Sequence, residues 1–357
     1  MKMVSRPLGI ALLLLLSVGS QLSPAVAATD REMPVCQMIA TGGTIASKID
    51  PVKKGPVPAL TGEDLIAAVP ELAKVADVRV ISPFSISSGY MDPQRWVEIH
   101  ELVVTALASD EVAGVMISHG TDTLEETAYF LDLTVSSDKP IVLVGSQRNA
   151  SESDFDGPRN LVNAARICVS PQARGKGAMI ALNSQINAAR EATKTHTSDV
   201  ETFKSGDFGF LGVVDNDRVV FARTPLRRQH IALKEGPLPR VDIVPMYAGA
   251  DGTLIRAAVA AGAKGIVIQG LGIGHVNVPV YEAAKEAIGR GIVVVISTRV
   301  PNGRVRPVYG GAGGGQTLKD AGAVFADNLS PQKARILLML ALQSTSNVVD
   351  IQALFDR

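Results

Sequence analysis

Short apolar runs alternate with polar stretches whose hydrophobic positions fall at helical spacing. Residues 35–40 (VCQMIA), 112–117 (VAGVMI), 141–144 (IVLV) and 178–182 (AMIAL) are almost unbroken apolar runs. That is how strands covered on both faces of a parallel sheet read. Residues 78–81 add a shorter strand, and helices are expected over 61–68, over 93–107 behind Pro93, over 124–131 and from about 156. The repeated strand–helix order predicts an α/β fold: a larger N-terminal doubly wound domain, with a mostly parallel sheet, over 33–224. Residues 225–240, with Pro225, Arg227, Arg228 and Gly236, read as a linker. Beyond it, strands over 241–246, 265–269 and 292–297 and helices over 253–261, 279–289 and 331–343 predict a smaller C-terminal α/β domain, 241–357. Residues 49–60 (IDPVKKGPVPAL) carry the Pro, Gly and Lys of a mobile loop, placed where it could act as a lid. The glycine run 310–315 reads as a surface loop, because no Lys-Ser/Thr pair follows it.

Chemistry collects at the turns after the strands. Residues 117–127 (ISHGTDTLEET) put Thr121 and Asp122 at a strand-to-helix turn, the place where open α/β sheets bind ligands. Thr121, Asp122 or Thr123 could instead simply cap the helix, with Glu125 and Glu126 favourable in its first turn. On local grounds the two readings are evenly balanced. Thr41-Gly42-Gly43-Thr44 follows the first strand, and its glycines let a ligand approach the main chain while leaving Thr44 on a turn. Ser88-Gly89 lies in a polar loop after the strand at 78–81, and Lys194 lies in the polar stretch 190–199. Lys194 is either a solvated loop residue or a partly desolvated amine fit to act as a base. A threonine hydroxyl needs such a neighbour to become a nucleophile. Together these residues suggest acyl transfer on a small charged substrate, with Asp122 and Ser88 able to hold an amine and a carboxylate. Backbone N–H groups near Thr121 are natural oxyanion donors.

Composition narrows the field. Among 357 residues, 35 basic and 35 acidic side chains leave no net field that would draw nucleic acid or a membrane surface. The five histidines are scattered with no metal-ligand spacing, so neither metal nor cofactor is expected. Lys2 and Arg6, the apolar run 11–16 and Ala25-Val26-Ala27 fit a signal peptide over 1–27, and no later run is long enough to span a bilayer. The expected location is periplasmic or secreted. Cys36 and Cys168 read equally well as two buried thiols or as a bridge.

Residues 41–46 (TGGTIA) and 119–128 (HGTDTLEETA) resemble two signatures of the bacterial-type L-asparaginases, the asparaginase/glutaminase family. Thr193-Lys194-Thr195, Phe203-Lys204-Ser205, Arg299-Val300-Pro301 and residues 330–334 (SPQKA) are similar to further family stretches, in the same order. The resemblance implies hydrolysis of the side-chain amide of L-asparagine, with L-glutamine left open as a second substrate. It implies that Thr44 attacks the amide to give an acyl-enzyme, that Thr121, Asp122 and Lys194 form a second catalytic set, and that the two threonines share the chemistry. It assigns substrate binding to Ser88, Gly89 and Asp122, and, from a neighbouring subunit, to His275. It also implies a homotetramer built as a dimer of dimers.

The chain departs from the family pattern in places. Residues 49–60 hold no tyrosine, Gly89 stands where Gln commonly follows the serine, and no glutamate follows Arg299-Val300-Pro301. Tyr90 or Tyr309 is the candidate to replace the missing phenol. These losses favour an alternative, an exported amino-acid-binding protein with weak or lost turnover, whereas the intact Thr44, Thr121, Asp122 and Lys194 oppose it. A subunit of a transfer-RNA amidotransferase is disfavoured by the signal peptide and the zero net charge.

Overall fold

The computed structural model describes residue 3 and residues 32–357; the signal peptide expected over 1–27 lies, residue 3 apart, outside the described residues. The elements in chain order begin with β1 (Val35–Ala40), β2 (Ser47–Asp50), β3 (Gly55–Pro58), α1 (Gly62–Ala67), β4 (Asp77–Ile81), α2 (Pro93–Ala108) and β5 (Val112–Ser118). Next come α3 (Leu124–Thr134), β6 (Ile141–Val144), α4 (Gly157–Cys168), β7 (Ala178–Leu182), β8 (Gln185–Ala188), β9 (Thr193–Lys194), β10 (Phe203–Lys204), β11 (Gly212–Val214) and β12 (Val219–Phe221). The remainder is β13 (Val241–Pro245), α5 (Thr253–Ala260), β14 (Gly265–Gly270), α6 (Val278–Gly289), β15 (Val293–Thr298), α7 (Gly315–Asp320), β16 (Val324–Phe325), α8 (Pro331–Leu342) and α9 (Val348–Phe355).

The large sheet has the order β12-β11-β8-β7-β6-β5-β1-β4. Its β4, β1, β5, β6 and β7 pair in parallel, while β8, β11 and β12 add antiparallel strands at one end. The smaller sheet, β13-β14-β15-β16, is wholly parallel. The expected fold class, a larger mostly parallel α/β domain followed by a smaller α/β domain, is therefore present. Helices cover both faces of the large sheet, and β1 shows why its run is unbroken. Ile39 packs in the same core as Trp96 and Ile99 of α2 and Phe130 of α3, whereas Cys36 and Met38 face Leu65 of α1 and Leu161 of α4.

The chain leaves β1 and β4 on one side and returns through β5, β6 and β7 on the other. The winding direction thus reverses between β1 and β5, opening a crevice at their carboxyl ends. Met33–Arg357 form one compact unit, and the core containing Phe130 continues without a break into Ile266, Ile296 and Leu337 around the small sheet.

Several expectations need correction. Residues 49–60 are not a bare loop: β2 and β3 form an antiparallel hairpin, pairing Lys48 with Val57 and Ile49 with Pro56. Residues 46–60 are held down where Ala59 and Leu60 N–H donate to the Ala46 carbonyl, each at 2.9 Å. The prolines sit on an isolated ribbon, where a missing donor costs little. The glycine run ends in α7, which begins at Gly315. Strands β8, β11, β12 and β16 and helix α9 were not anticipated. Asn183 and Ser184, both at positive φ (48° and 60°), form the tight turn between β7 and β8, without the glycine that usually signals such turns. The stretch read as a linker is fastened along its length: Ile231 N–H donates to Leu133 O at 2.8 Å, and Arg228 Nε donates to Asp132 Oδ1 at 3.3 Å. Cys36 and Cys168 are disulfide-bonded, joining β1 to the end of α4.

Candidate active site

Three loops stack at the reversal point between β1 and β5, and glycine makes the stacking possible. Gly42 N–H and carbonyl lie in a loop at φ +99° that bridges to Ile86, and Gly43 N–H donates to Ile86 O at 2.8 Å. Gly43, at φ +83°, presses its α-carbon against Gly120, where any Cβ would run into main chain. A Cβ on Gly120 would in turn stand 2.6 Å from Ser88 Oγ. The loops carrying Thr44, Ser88 and Thr121 therefore close to contact distance only because no side chain intervenes.

At this crevice Lys194 Nζ donates to Thr121 Oγ1 at 2.9 Å and to Asp122 Oδ1 at 2.7 Å. Thr121 is 4% exposed, the Lys194 side chain 17%, and Asp122 68%. The hydroxyl and ammonium are thus largely withdrawn from water, while the carboxylate looks outward. Thr121 Oγ1 accepts from the lysine, and among the described residues its own O–H has no acceptor.

Ser88 Oγ accepts from Asp122 N–H at 3.2 Å, and Ser88 O accepts from Thr123 Oγ1 at 2.8 Å. Serine's hydroxyl proton stays available to an anionic group. Beside it, the face of Gly89 that a Cβ would occupy is open space. The Asp122 N–H, one of the expected oxyanion donors, is thus already engaged.

The capping alternative for Thr121 and Asp122 does not hold. The N-cap of α3 is Thr123, which makes no side-chain cap and spends its hydroxyl on the Ser88 loop. Glu125 and Glu126 do occupy the first turn.

His119 opens the 119–128 stretch, but the sequence assigns its side chain no role. It is fully buried; Nδ1 lies 2.7 Å from Gly120 O, and Nε2 lies 2.9 Å from Thr127 Oγ1. Trp96 Nε1 donates to the same threonine oxygen at 3.1 Å. The Gly120 carbonyl can only accept, so Nδ1 carries the proton; in the neutral ring Nε2 then accepts from the Thr127 hydroxyl, which itself accepts from the indole. Burial pushes the imidazole down to about 4, opposed in part by its bond to Gly120. A neutral histidine therefore anchors the loop that bears Thr121. Its buried position in a strand-end motif was the only clue the sequence carried.

Thr44 is half-buried and opens a single 3-10 turn with no side-chain cap. Among the described residues, its hydroxyl has no hydrogen-bond partner, whereas that of Thr121 does. His275 is not brought to this group within one chain. It lies in the loop between β14 and α6, its ring edge-on to Tyr309 with centroids 4.5 Å apart. Tyr90 and Tyr309 are both largely exposed.

A cleft of about 980 Å³ opens elsewhere, on the side of β9 marked by Thr193 and Thr195, and none of Thr44, Ser88, Thr121 and Asp122 lines it. A smaller hollow of about 330 Å³ adjoins the Thr44 loop at Gly42, Ala46 and Ser85. Size does not decide among these three places; of them, the threonine crevice is the one that pairs a hydroxyl with an activating amine at bonding distance. Among the described residues, no cluster of three His, Cys, Asp or Glu side chains is placed to hold a metal.

Comparison with known proteins agrees with this geometry. Residues 36–227 match the asparaginase N-terminal family model, and residues 240–355 match the glutaminase/asparaginase C-terminal domain. The chain is 40% identical to L-asparaginase 2 of Bacillus subtilis over 346 residues, covering 94% of this chain and 90% of that protein. It is 37% identical to a probable periplasmic L-asparaginase of Haemophilus influenzae, covering 91% and 93%. The crystal structure of a probable cytoplasmic L-asparaginase from Campylobacter jejuni superposes with a TM-score of 0.83 at 37% identity, covering 90% of this chain and 99% of that one. With both family models in order along the chain and a crevice of matching chemistry at the β1/β5 reversal, this protein belongs to the asparaginase/glutaminase family.

Proposed function

We propose that this protein hydrolyses the side-chain amide of L-asparagine to L-aspartate and ammonia, using threonine hydroxyls and an acyl-enzyme intermediate. The observation that carries the reading is the Lys194 amine, 2.9 Å from Thr121 Oγ1 and 2.7 Å from Asp122 Oδ1, at the sheet's reversal point. Asp122, outward-facing and acidic, suits the substrate's ammonium; Ser88, with its proton free, and the open space at Gly89 suit the α-carboxylate.

In the first step a threonine oxygen attacks the amide carbon, the C–N bond breaks, and nitrogen leaves as ammonia with the hydroxyl proton. In the second step water attacks the resulting ester, releasing aspartate and restoring the hydroxyl. Thr44 is assigned the first attack, as the family resemblance implies. Thr121 and Lys194 are assigned the proton relay, the Lys194 ammonium stabilising the alkoxide as it forms. His275 is proposed to contribute from a neighbouring subunit of a homotetramer, since within its own chain it packs on Tyr309 instead.

Export is proposed on the 1–27 leader pattern, and the Cys36–Cys168 bond fits an oxidising compartment.

The test is ammonia release from asparagine and glutamine by wild type, Thr44→Ala and Thr121→Ala. Wild type should turn over asparagine, and each variant should lose roughly 10³-fold or more in kcat, since the members of such a set act as a unit. Absence of ammonia from wild type, with tight aspartate binding, would instead leave a binding protein.

A further inference from the structure

The segment 330–334 (SPQKA) belongs to the family pattern, yet the chemistry above uses none of it. Its Lys333 is 2% exposed, in the first turn of α8. A buried ammonium costs several kcal/mol unless its protons are placed. Here they are: Lys333 Nζ donates to the carbonyl of Arg190 at 3.1 Å and to that of Ala192. Those carbonyls lie in the turn that leads directly into β9, the strand carrying Lys194.

The preceding residue grips the other half of the site. Gln332 Nε2 donates to Glu125 Oε1 at 2.7 Å, in the first turn of α3, which directly follows the turn bearing Thr121 and Asp122. Just before α8, Asn328 Oδ1 accepts both terminal nitrogens of Arg190 at 3.0 Å. Two adjacent side chains at one helix start thus hold the two chain segments that meet in the Lys194–Thr121 bond. Burial pushes the Lys333 ammonium down to about 8, against the attraction of Glu125, Glu191 and Asp132 and with Arg190 adding repulsion. An apolar residue would fill this place without that penalty, so the return must come from what the ammonium holds.

We propose that Lys333, with Gln332, is a positioning residue that fixes Lys194 against Thr121 by clamping the 190–192 turn and the start of α3 to α8. The proposal rests on reading Lys194 and Thr121 as a catalytic pair. A displacement of about 1 Å at such a contact costs up to ~100-fold in rate, so the bracket acts chiefly on turnover.

The test uses Lys333→Met and Gln332→Met in the full chain, with kinetics and crystal structures of both. Lys333→Met should lower kcat about 10- to 100-fold while KM moves less than about threefold, and Lys194 Nζ should leave hydrogen-bonding distance of Thr121 Oγ1. A Lys333→Met enzyme with kcat within about twofold of wild type overturns the proposal. So does a structure that keeps the 2.9 Å contact after the substitution, whatever the activity. If Lys333→Met does not fold, Gln332→Met decides: a kcat loss at near-constant KM supports the bracket, and unchanged kcat overturns it. Should wild type itself release no ammonia, the asparaginase reading falls, while the two structures still decide whether α8 sets the contact.

Discussion

A neutral histidine in a closed hydrogen-bond chain makes the Thr121 loop sensitive to acid. Unfolded, His119 binds a proton near its usual 6.5; folded, it does so only at about 4. Between those values the unfolded state holds more protons, so this residue's share of stability falls as pH is lowered through the window. The share lost is about 3 kcal/mol. Denaturant midpoints measured from pH 7 to pH 4 should show this slope in wild type and lack it in His119→Gln. Equal slopes in the two proteins would contradict the burial argument. Gly43 and Gly120 act at the same scale but through absence: two main chains touch where a methyl group would part them. In the sequence Gly42-Gly43 is a turn signal; only the neighbouring loop shows why Gly43 must be glycine.

Among elements, the least regular ones carry the site. Lys194 lies on a two-residue strand, paired with Phe203 of β10. The ladder is extended by Thr195 N–H to Thr202 O at 2.8 Å and Thr195 Oγ1 to the same oxygen at 2.8 Å. No apolar periodicity announces so short a pair, which is why residues 190–199 read only as a polar stretch. The long buried strands were legible for the opposite reason, since both their faces are covered and every position must be apolar. The antiparallel additions β8, β11 and β12 were missed because they are short and lie toward the end of the sheet, where β12 is only partly covered. The disulfide ties β1, whose carboxyl end leads to Thr44, to α4 across 132 residues of sequence. A Cys36→Ala/Cys168→Ala protein should lose about 2–4 kcal/mol of stability, read from chemical denaturation. No loss would mean that packing alone holds β1 against α4.

For the whole molecule, the two sheets share one apolar core, and α8 lies between α3 and the small sheet, packing on both. The C-terminal part therefore backs the segments that carry Lys194 and Thr121, as well as bearing His275. If His275 serves a neighbouring crevice, activity belongs to an assembly. Light scattering of the mature protein should report four chains, with the N-terminus beginning after Ala27; a monomer with full turnover would remove His275 from the site.

The sequence by itself determined the succession of buried apolar strands along the chain, the two α/β parts, and the candidates Thr44, Ser88, Thr121, Asp122 and Lys194. Each of these is written in local pattern or motif. Tertiary structure decided which of them touch. Lys194 reaches Thr121 across 73 positions of chain, and Lys333 reaches Arg190 across 143. It also decided that Thr121 is a partner of Lys194 and not a helix cap, and that the two cysteines are joined. Contacts between distant segments depend on how strands are ordered in the sheet, and no spacing along the chain encodes that order.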